Sequence, residues 1–212
     1  MVLDLSLLPA FLVAALALNF TPGADMMFVT AQSLSGGRGA GVAASLGVGT
    51  GAVVHSALAA LGFAALVAAQ PIAFDIIRYA GAAYLIWIAY QMIRTPPSLD
   101  ADPAAGRSNW RRAFVQGFTT NLLNPKVIVF VLAFLPQFAN PERGALGLQI
   151  FVLGIIFGTT GTLVLIAVAF AGGNLKRTLA RHPLAGRMVG WVSGTLIGGL
   201  AIGLLLTSRR AG

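Results

Sequence analysis

Four stretches of this chain carry no charged side chain: Leu5–Ala24, Gly39–Phe74, Gly144–Leu175 and Met188–Ser208, of 20, 36, 32 and 21 residues. A helix crossing a bilayer needs about 20 predominantly apolar residues, and each stretch reaches that length. The whole chain agrees with them. Of its 212 residues 57% are apolar and 9% charged, against roughly a quarter charged in an average soluble domain. Mean hydropathy is +0.84. Water does not solvate such a chain as a globule, so the fold class is an all-α polytopic membrane protein. Soluble enzymes, secreted domains and disordered tails are excluded together. The chain has no cysteine, which removes disulfides, thiolate metal sites and thiol nucleophiles. No cofactor and no metal site is expected.

Six spans fit the pattern, at about Leu7–Ser33, Gly41–Ala68, Ile72–Ile93, Phe114–Phe138, Leu146–Phe170 and Met188–Leu206. Gln70-Pro71 and Pro96-Pro97 are turn signals between them. Met1–Asp4 lacks the positive start of a signal peptide, so the first span is expected to be retained. The polar stretch Thr95–Arg112 divides a single transmembrane domain, 1–212, into a first half (about 5–94) and a second (about 113–207), joined by the loop at about 95–112.

The net charge is +8. Its basic residues are dispersed between apolar stretches, which suits loops lying against anionic lipid headgroups rather than nucleic acid. Loops 1, 3 and 5 hold Arg38, then Arg94, Arg107, Arg111 and Arg112, then Lys176, Arg177, Arg181 and Arg187. The opposite side holds Arg78, Arg143, Arg209 and Arg210. This excess predicts cytoplasmic loops 1, 3 and 5 with both termini outside, although Arg209-Arg210 pulls the other way.

The halves echo each other. Thr21-Pro22 interrupts span 1 and Asn124-Pro125 interrupts span 4. Arg38-Gly39-Ala40 matches Arg143-Gly144-Ala145, and Gly47/Gly51 matches Gly154/Gly158. Because each half has three spans, the second is inverted relative to the first. Inverted repeats with paired broken helices are a recurrent transporter plan, with substrate bound near the midplane.

Both breaks have the chemistry of a helix start. Thr21 and Asn124 are good N-caps, and Pro22 and Pro125 are favoured first helical residues. The half-helix that follows presents free N–H groups and a partial positive charge, a site for a carboxylate. Asp25 sits in the first turn after Pro22, where that dipole favours an anion. Lys126 follows Pro125, where the dipole opposes a cation and a charge at mid-membrane costs about 2.5–3.5 kcal/mol. It therefore needs an acidic partner (Asp25 is the candidate), a bound carboxylate, or a shallow position from which to snorkel. Asn19, Asn121 and Asn124 add amides suited to a zwitterion or to freed carbonyls. His55 has the side chain to accept a proton during coupling; a neutral histidine bonded to a neighbouring helix is the alternative. The Gly190/Gly194/Gly198 ladder allows close helix approach and permits a homodimer.

The run Thr21-Pro22-Gly23-Ala24-Asp25 resembles the T-P-G-P-[DN] signature of the lysine exporter superfamily. Asn121-Leu122-Leu123-Asn124-Pro125-Lys126 is similar to its N-x-x-N-P-K. Gly81–Leu85 and Phe134–Phe138 match further, and the likeness spans nearly the whole chain, most like the homoserine/threonine efflux (RhtB-type) branch. Ala24 departs from the pattern where the superfamily usually has a second proline. The resemblance implies a bacterial inner-membrane exporter of amino acids or close derivatives, driven by the proton gradient. It implies substrate-binding positions at Pro22, Gly23, Asp25, Asn121, Asn124, Pro125 and Lys126, beside Asn19 and Thr21. Asp25 and His55 are the proton-coupling candidates, and the partners are lipid, an amino acid and protons. A divalent-cation exporter and a non-transporting assembly protein are the competing readings. An intramembrane hydrolase lacks an HExxH motif, a Cys or a Glu at depth.

Overall fold

The computed structural model describes residues 3–69, 71–94, 109–181 and 183–206, and every described element is helical. Gln70, the segment 95–108 with Pro96, Pro97 and Arg107, His182, and Arg209-Arg210 lie outside the described residues, with the expectations placed on them. The α-helices are α1 (Leu8–Phe20), α2 (Ala24–Ala69), α3 (Pro71–Arg94), α4 (Trp110–Leu122), α5 (Pro125–Val129), α6 (Leu146–Arg181) and α7 (Pro183–Leu206). A π-helical turn, Phe130–Phe134, and a 3₁₀ turn, Leu135–Phe138, continue α5. Proline stands at the start of α1, α3, α5 and α7, where its missing N–H is no loss. Among the described residues two helical stretches, Ala24–Gly62 and Leu146–Ala171, are long and apolar enough to cross a membrane; Trp110–Leu122 with Pro125–Phe138, bent by 52°, makes a third if read as one span.

Two elements differ from the sequence expectation. The basic run Lys176–Arg181 is the end of α6 rather than a loop. Lys, Arg, Leu and Ala are good helix formers, and cations favour a helix C-terminus. The turn after span 1 is made by Gly37, at φ 80° and ψ 177°, a region open essentially to glycine alone. The chain folds back there, since Gly41 packs against the Ser33 hydroxyl. Gly144, before α6, has nearly the same conformation at φ 67° and ψ −174°. The equivalent turns are therefore Gly37 and Gly144. They stand 107 residues apart, like Gly47/Gly154 and Gly51/Gly158. Aligning Arg38-Gly39-Ala40 with Arg143-Gly144-Ala145 is out of that register.

Helix packing places the two proline breaks side by side. From one end to the other, Asp4 meets Asn140 and Arg143, Phe11 meets Phe138, Leu18 and Thr21 meet Lys126, Asp25 meets Asn121, and Gln32 meets Gln116. The segments on either side of the breaks thus run antiparallel along their whole length. The part of α2 beyond Gly37 lies between α4 and α6. Gly47 abuts the Phe114 carbonyl and Gly117 the Ala44 carbonyl, while Gly49 faces Thr162 and Gly154 faces Ser56. A side chain at any of these would separate the backbones, which is why small residues mark such interfaces. In the same way Gly194 packs against the Ala89 carbonyl and Ile93, so this rung of the glycine ladder is spent joining α7 to α3. Two apolar clusters result. One holds Phe11, Leu18, Phe130, Phe134, Leu135 and Phe157. The other holds Met26, Val29, Val48, Val164 and Leu165.

At the Asp4 end the loop 139–145 is tied down by polar bonds. Gln149, fully buried, accepts from the Asn140 N–H and donates to the Asn140 and Gly144 carbonyls. Asp4 accepts from the Ser6 N–H and hydroxyl and from the Asn140 amide, with Arg143 Nε at 3.6 Å. The Ser6 and Asn140 bonds, with a smaller contribution from Arg143, hold its carboxyl at about 2, below the ordinary 3.8.

Two predictions follow from these contacts. Gly37→Ala should destabilise the protein by about 1–3 kcal/mol through backbone strain. Gly39→Ala, with open space and no positive φ, should be neutral or stabilising by about 1 kcal/mol; thermal melting in detergent compares them. Because the folded carboxyl of Asp4 titrates below the unfolded one, its stabilisation is complete above pH 3.8 and lost as pH falls through about 2. An Asp4→Asn variant should therefore lose less melting temperature than the parent across that interval.

Candidate functional site

Each proline break frees backbone groups in an apolar setting; local caps serve both, and Lys126 of the second break also serves carbonyls of the first. Helix α1 ends at Thr21, whose N–H donates to the Leu18 carbonyl at 3.1 Å and whose hydroxyl donates to the Ala17 carbonyl at 2.7 Å. Thr21 is thus a C-cap; the expectation that it N-caps the next half-helix is wrong. The following residue, Pro22, lets the chain leave the helix, and α2 restarts at Ala24 with the Met27 N–H bonded to the Gly23 carbonyl. Asn124 does act as an N-cap, its side chain accepting from the Lys126 N–H at 3.1 Å ahead of Pro125.

The two charged residues cross over. Lys126 Nζ donates to the carbonyls of Thr21 at 3.0 Å and Leu18 at 3.4 Å. It therefore sits at the C-terminus of α1, where the partial negative charge favours a cation. Sequence reasoning considered only the dipole of the helix carrying Lys126, and α5 is five residues long. Asp25 Oδ2 accepts from Asn121 Nδ2 at 2.9 Å, and His55 Nε2 lies 3.3 Å from the Asn121 carbonyl. Two glycines make room for these side chains: a Cβ on Gly23 would stand 3.1 Å from Lys126 Nζ, and one on Gly51 would stand 2.7 Å from Asn121 Oδ1.

Between the breaks lies a cavity of about 40 Å³, room for roughly three waters at about 10–15 Å³ each. Asn19, Thr21, Asp25, Asn121 and Lys126 line it. Pro22, Gly23, Asn124 and Pro125 lie outside its lining, at the breaks themselves, and His55 lies outside it too, against the Asn121 carbonyl. Asn19 also ties α1 to α6, donating to Thr160 Oγ1 at 3.0 Å and the Phe157 carbonyl at 3.3 Å. The opposite wall comes from Phe157, Gly158, Gly161 and Thr162 of α6 with Gly49 of α2. None of these was singled out for a binding role from sequence, although the run Thr159-Thr160-Gly161-Thr162 inside an apolar span was a visible signal.

The cavity's polar groups are incompletely paired. Asn121 Oδ1 is a buried acceptor without a hydrogen-bond partner, and Asp25 Oδ1 and Asn124 Nδ2, an acceptor and a donor likewise unpaired at bonding distance, belong to neighbouring side chains. Buried polar atoms in native proteins are nearly always satisfied. A cluster of unsatisfied acceptors on a cavity wall is a place for a donor from outside the chain.

Comparison with known proteins shows the family of the chain. The LysE type translocator family matches residues 16–208. A homoserine/homoserine lactone efflux protein of Salmonella typhimurium is 32% identical over 185 residues, covering 87% of this chain and 83% of its own. An uncharacterized membrane protein of Vibrio cholerae is 30% identical over 209 residues, 99% of this chain and all of its own. Another, from Escherichia coli, is 30% identical over 188 residues, covering 88% and 83%. No solved structure matches. The chain therefore belongs to the LysE type translocator family, and it is a membrane transporter, not an enzyme.

Proposed function

We propose that this protein is a secondary exporter of small neutral amino acids or close derivatives, homoserine- or threonine-like, working by alternating access in exchange for protons. The observation that carries the reading is the pair of unsatisfied acceptors, Asp25 Oδ1 and Asn121 Oδ1, on one buried cavity wall. A primary ammonium brings up to three N–H donors and a positive charge to two acceptors, one of them a carboxylate. Lys126 spends two of its donors on the α1 carbonyls. Its third is available to a substrate oxygen, either carboxylate or ester carbonyl. The Salmonella relative is named for homoserine and its lactone. Those two share the ammonium and differ at the carboxyl, as expected of a site anchored on the ammonium. Asp25 then alternates between a substrate ammonium and a proton, which couples the two fluxes.

The frame for this exchange is six spans in two inverted repeats. Matching Gly37 and Gly144 turns, the common spacing of the paired glycines, and the antiparallel pairing of both broken segments support it. The charge asymmetry supports a bacterial inner-membrane protein with termini outside. For a divalent cation the donor set is poor: among the described residues no three His, Cys, Asp or Glu come together, and such ions take several carboxylate, imidazole or thiolate ligands.

In everted vesicles an imposed pH gradient should drive uptake of labelled homoserine, and Asp25→Asn should abolish it. Full gradient-driven uptake by a correctly inserted Asp25→Asn protein would remove Asp25 from the mechanism. Homoserine lactone should compete and N-acetylhomoserine should not; competition by the acetylated compound sinks the ammonium anchor. Cysteines placed singly at Ser6 and Arg38 should be labelled by an impermeant maleimide from the periplasmic and cytoplasmic sides respectively.

A further inference from the structure

The pairing of the broken segments is geometrically alike at both ends and chemically different. Toward the Gly37 end, α4 and the first part of α2 meet through polar groups. Gln32 Nε2 donates to Gln116 Oε1 at a long 3.4 Å, and Gln32 Oε1 is buried with no partner. Toward the Asp4 end the same seam is filled by rings. Phe11 meets Phe138 edge-on at 5.4 Å, Phe134 lies 5.2 Å from Phe138 and 5.0 Å from Phe130, and Phe130 lies 4.6 Å from Phe157. Phe157 is also a wall of the cavity. The ring stack therefore runs from the cavity wall to within one helical turn of the loop 139–145. Phe11, Phe130, Phe134 and Phe157 are all buried, and no polar side chain interrupts the chain of contacts between them.

Three of those five rings sit on the one irregular helical segment of the seam. The Leu135 N–H bonds to the Phe130 carbonyl, the i→i+5 bond of a π turn, and the chain passes directly into a 3₁₀ turn. A π turn holds one residue more than the α-helix accommodates, and such turns occur mostly at functional sites. Absorbing that residue would rotate everything after it by about 100°, carrying Phe134 and Phe138 out of the stack. Gly81 of α3 packs closely against Ala133 and Val129 of this segment, so α3 braces the present arrangement and has to yield when the segment rearranges.

We infer that Phe11, Phe130, Phe134, Phe138 and Phe157 form a gate closing the cavity from the Asp4 end, and that the π-to-3₁₀ segment Phe130–Phe138 is its moving part. The inference rests on the transport reading only for the existence of a path to close. In this structure the aromatic end is filled by packed rings, whereas toward Gly37 the cavity meets Met26, Val48 and Leu165, with the Gln32–Gln116 pair beyond them.

The chain contains no cysteine, so a single reporter at Thr162→Cys, on the cavity wall, can be labelled with impermeant maleimide in vesicles of both orientations. Labelling from the Asp4 end should be slow compared with an exposed Leu5→Cys control. Adding Phe134→Ala should speed it by about tenfold or more from that end, since removing a packed phenyl loosens a core strongly. It should leave the rate from the other end unchanged. If Phe134→Ala does not survive extraction, Phe134→Leu should give a smaller acceleration of the same sidedness. The gate is overturned if the parent reporter labels from the Asp4 end as fast as the control. It is equally overturned if the surviving folded variant changes neither rate, or changes both alike. The readout needs no substrate, so failure of homoserine exchange alongside the expected labelling would overturn the substrate reading alone.

Discussion

The crossing of Lys126 and Asp25 between the two broken segments is the interaction on which the rest depends. A proline break inside an apolar span leaves carbonyls without helical partners, and a bilayer offers no water to satisfy them. Here Lys126 caps the carbonyls at the end of α1, and Asp25 is held by the amide just before the second break. Local caps at Thr21 and Asn124 satisfy part of each break, and the Lys126 bonds to α1 tie the two segments together with their interruptions level. The glycines at 23 and 51 follow from that, because the lysine and the asparagine have to pass where a Cβ would otherwise stand. The cavity follows too, as the space left where two kinked segments meet.

Close backbone packing holds the frame around this crossing. Gly47 against a carbonyl of α4, Gly117 against one of α2 and Gly194 against one of α3 bring helices to distances at which a methyl group would intrude. Within lipid no hydrophobic drive distinguishes a helix neighbour from a lipid tail, so close van der Waals contact and hydrogen bonding do the joining. Polar side chains that would be costly in lipid are spent in this way. Asn19 joins α1 to α6, and Gln149 ties the loop 139–145 to the helix it precedes. Asp25 and Asn121 differ from these in that each keeps a side-chain oxygen unpaired beside the cavity.

Much of the fold was legible because bilayer physics writes itself into sequence over long stretches. The all-helical membrane character, both breaks and the Gly47/Gly51 and Gly154/Gly158 correspondence could be read from charge, proline and glycine alone. The misreadings were local. Thr21 has the composition of an N-cap, yet it ends the preceding helix, because its hydroxyl found the Ala17 carbonyl first. The Arg-Gly-Ala match drew the eye to Gly39, whereas the glycine with the forbidden backbone conformation is Gly37. A dihedral angle leaves no mark on a residue letter when several glycines stand close together.

By itself the sequence determined that this chain belongs in a membrane and that one charge lies at each proline break. Those features depend on composition and spacing along the chain, which one dimension records. Only the tertiary structure decided what each charge does. Lys126 answers the dipole of α1, a helix more than a hundred residues away in the chain, rather than that of the short helix it begins. The α6 wall of the cavity and the stack of rings toward Asp4 were likewise settled by packing. Electrostatic partners and cavity walls are relations across space, and the side chains that make them carry no sign of whom they will meet.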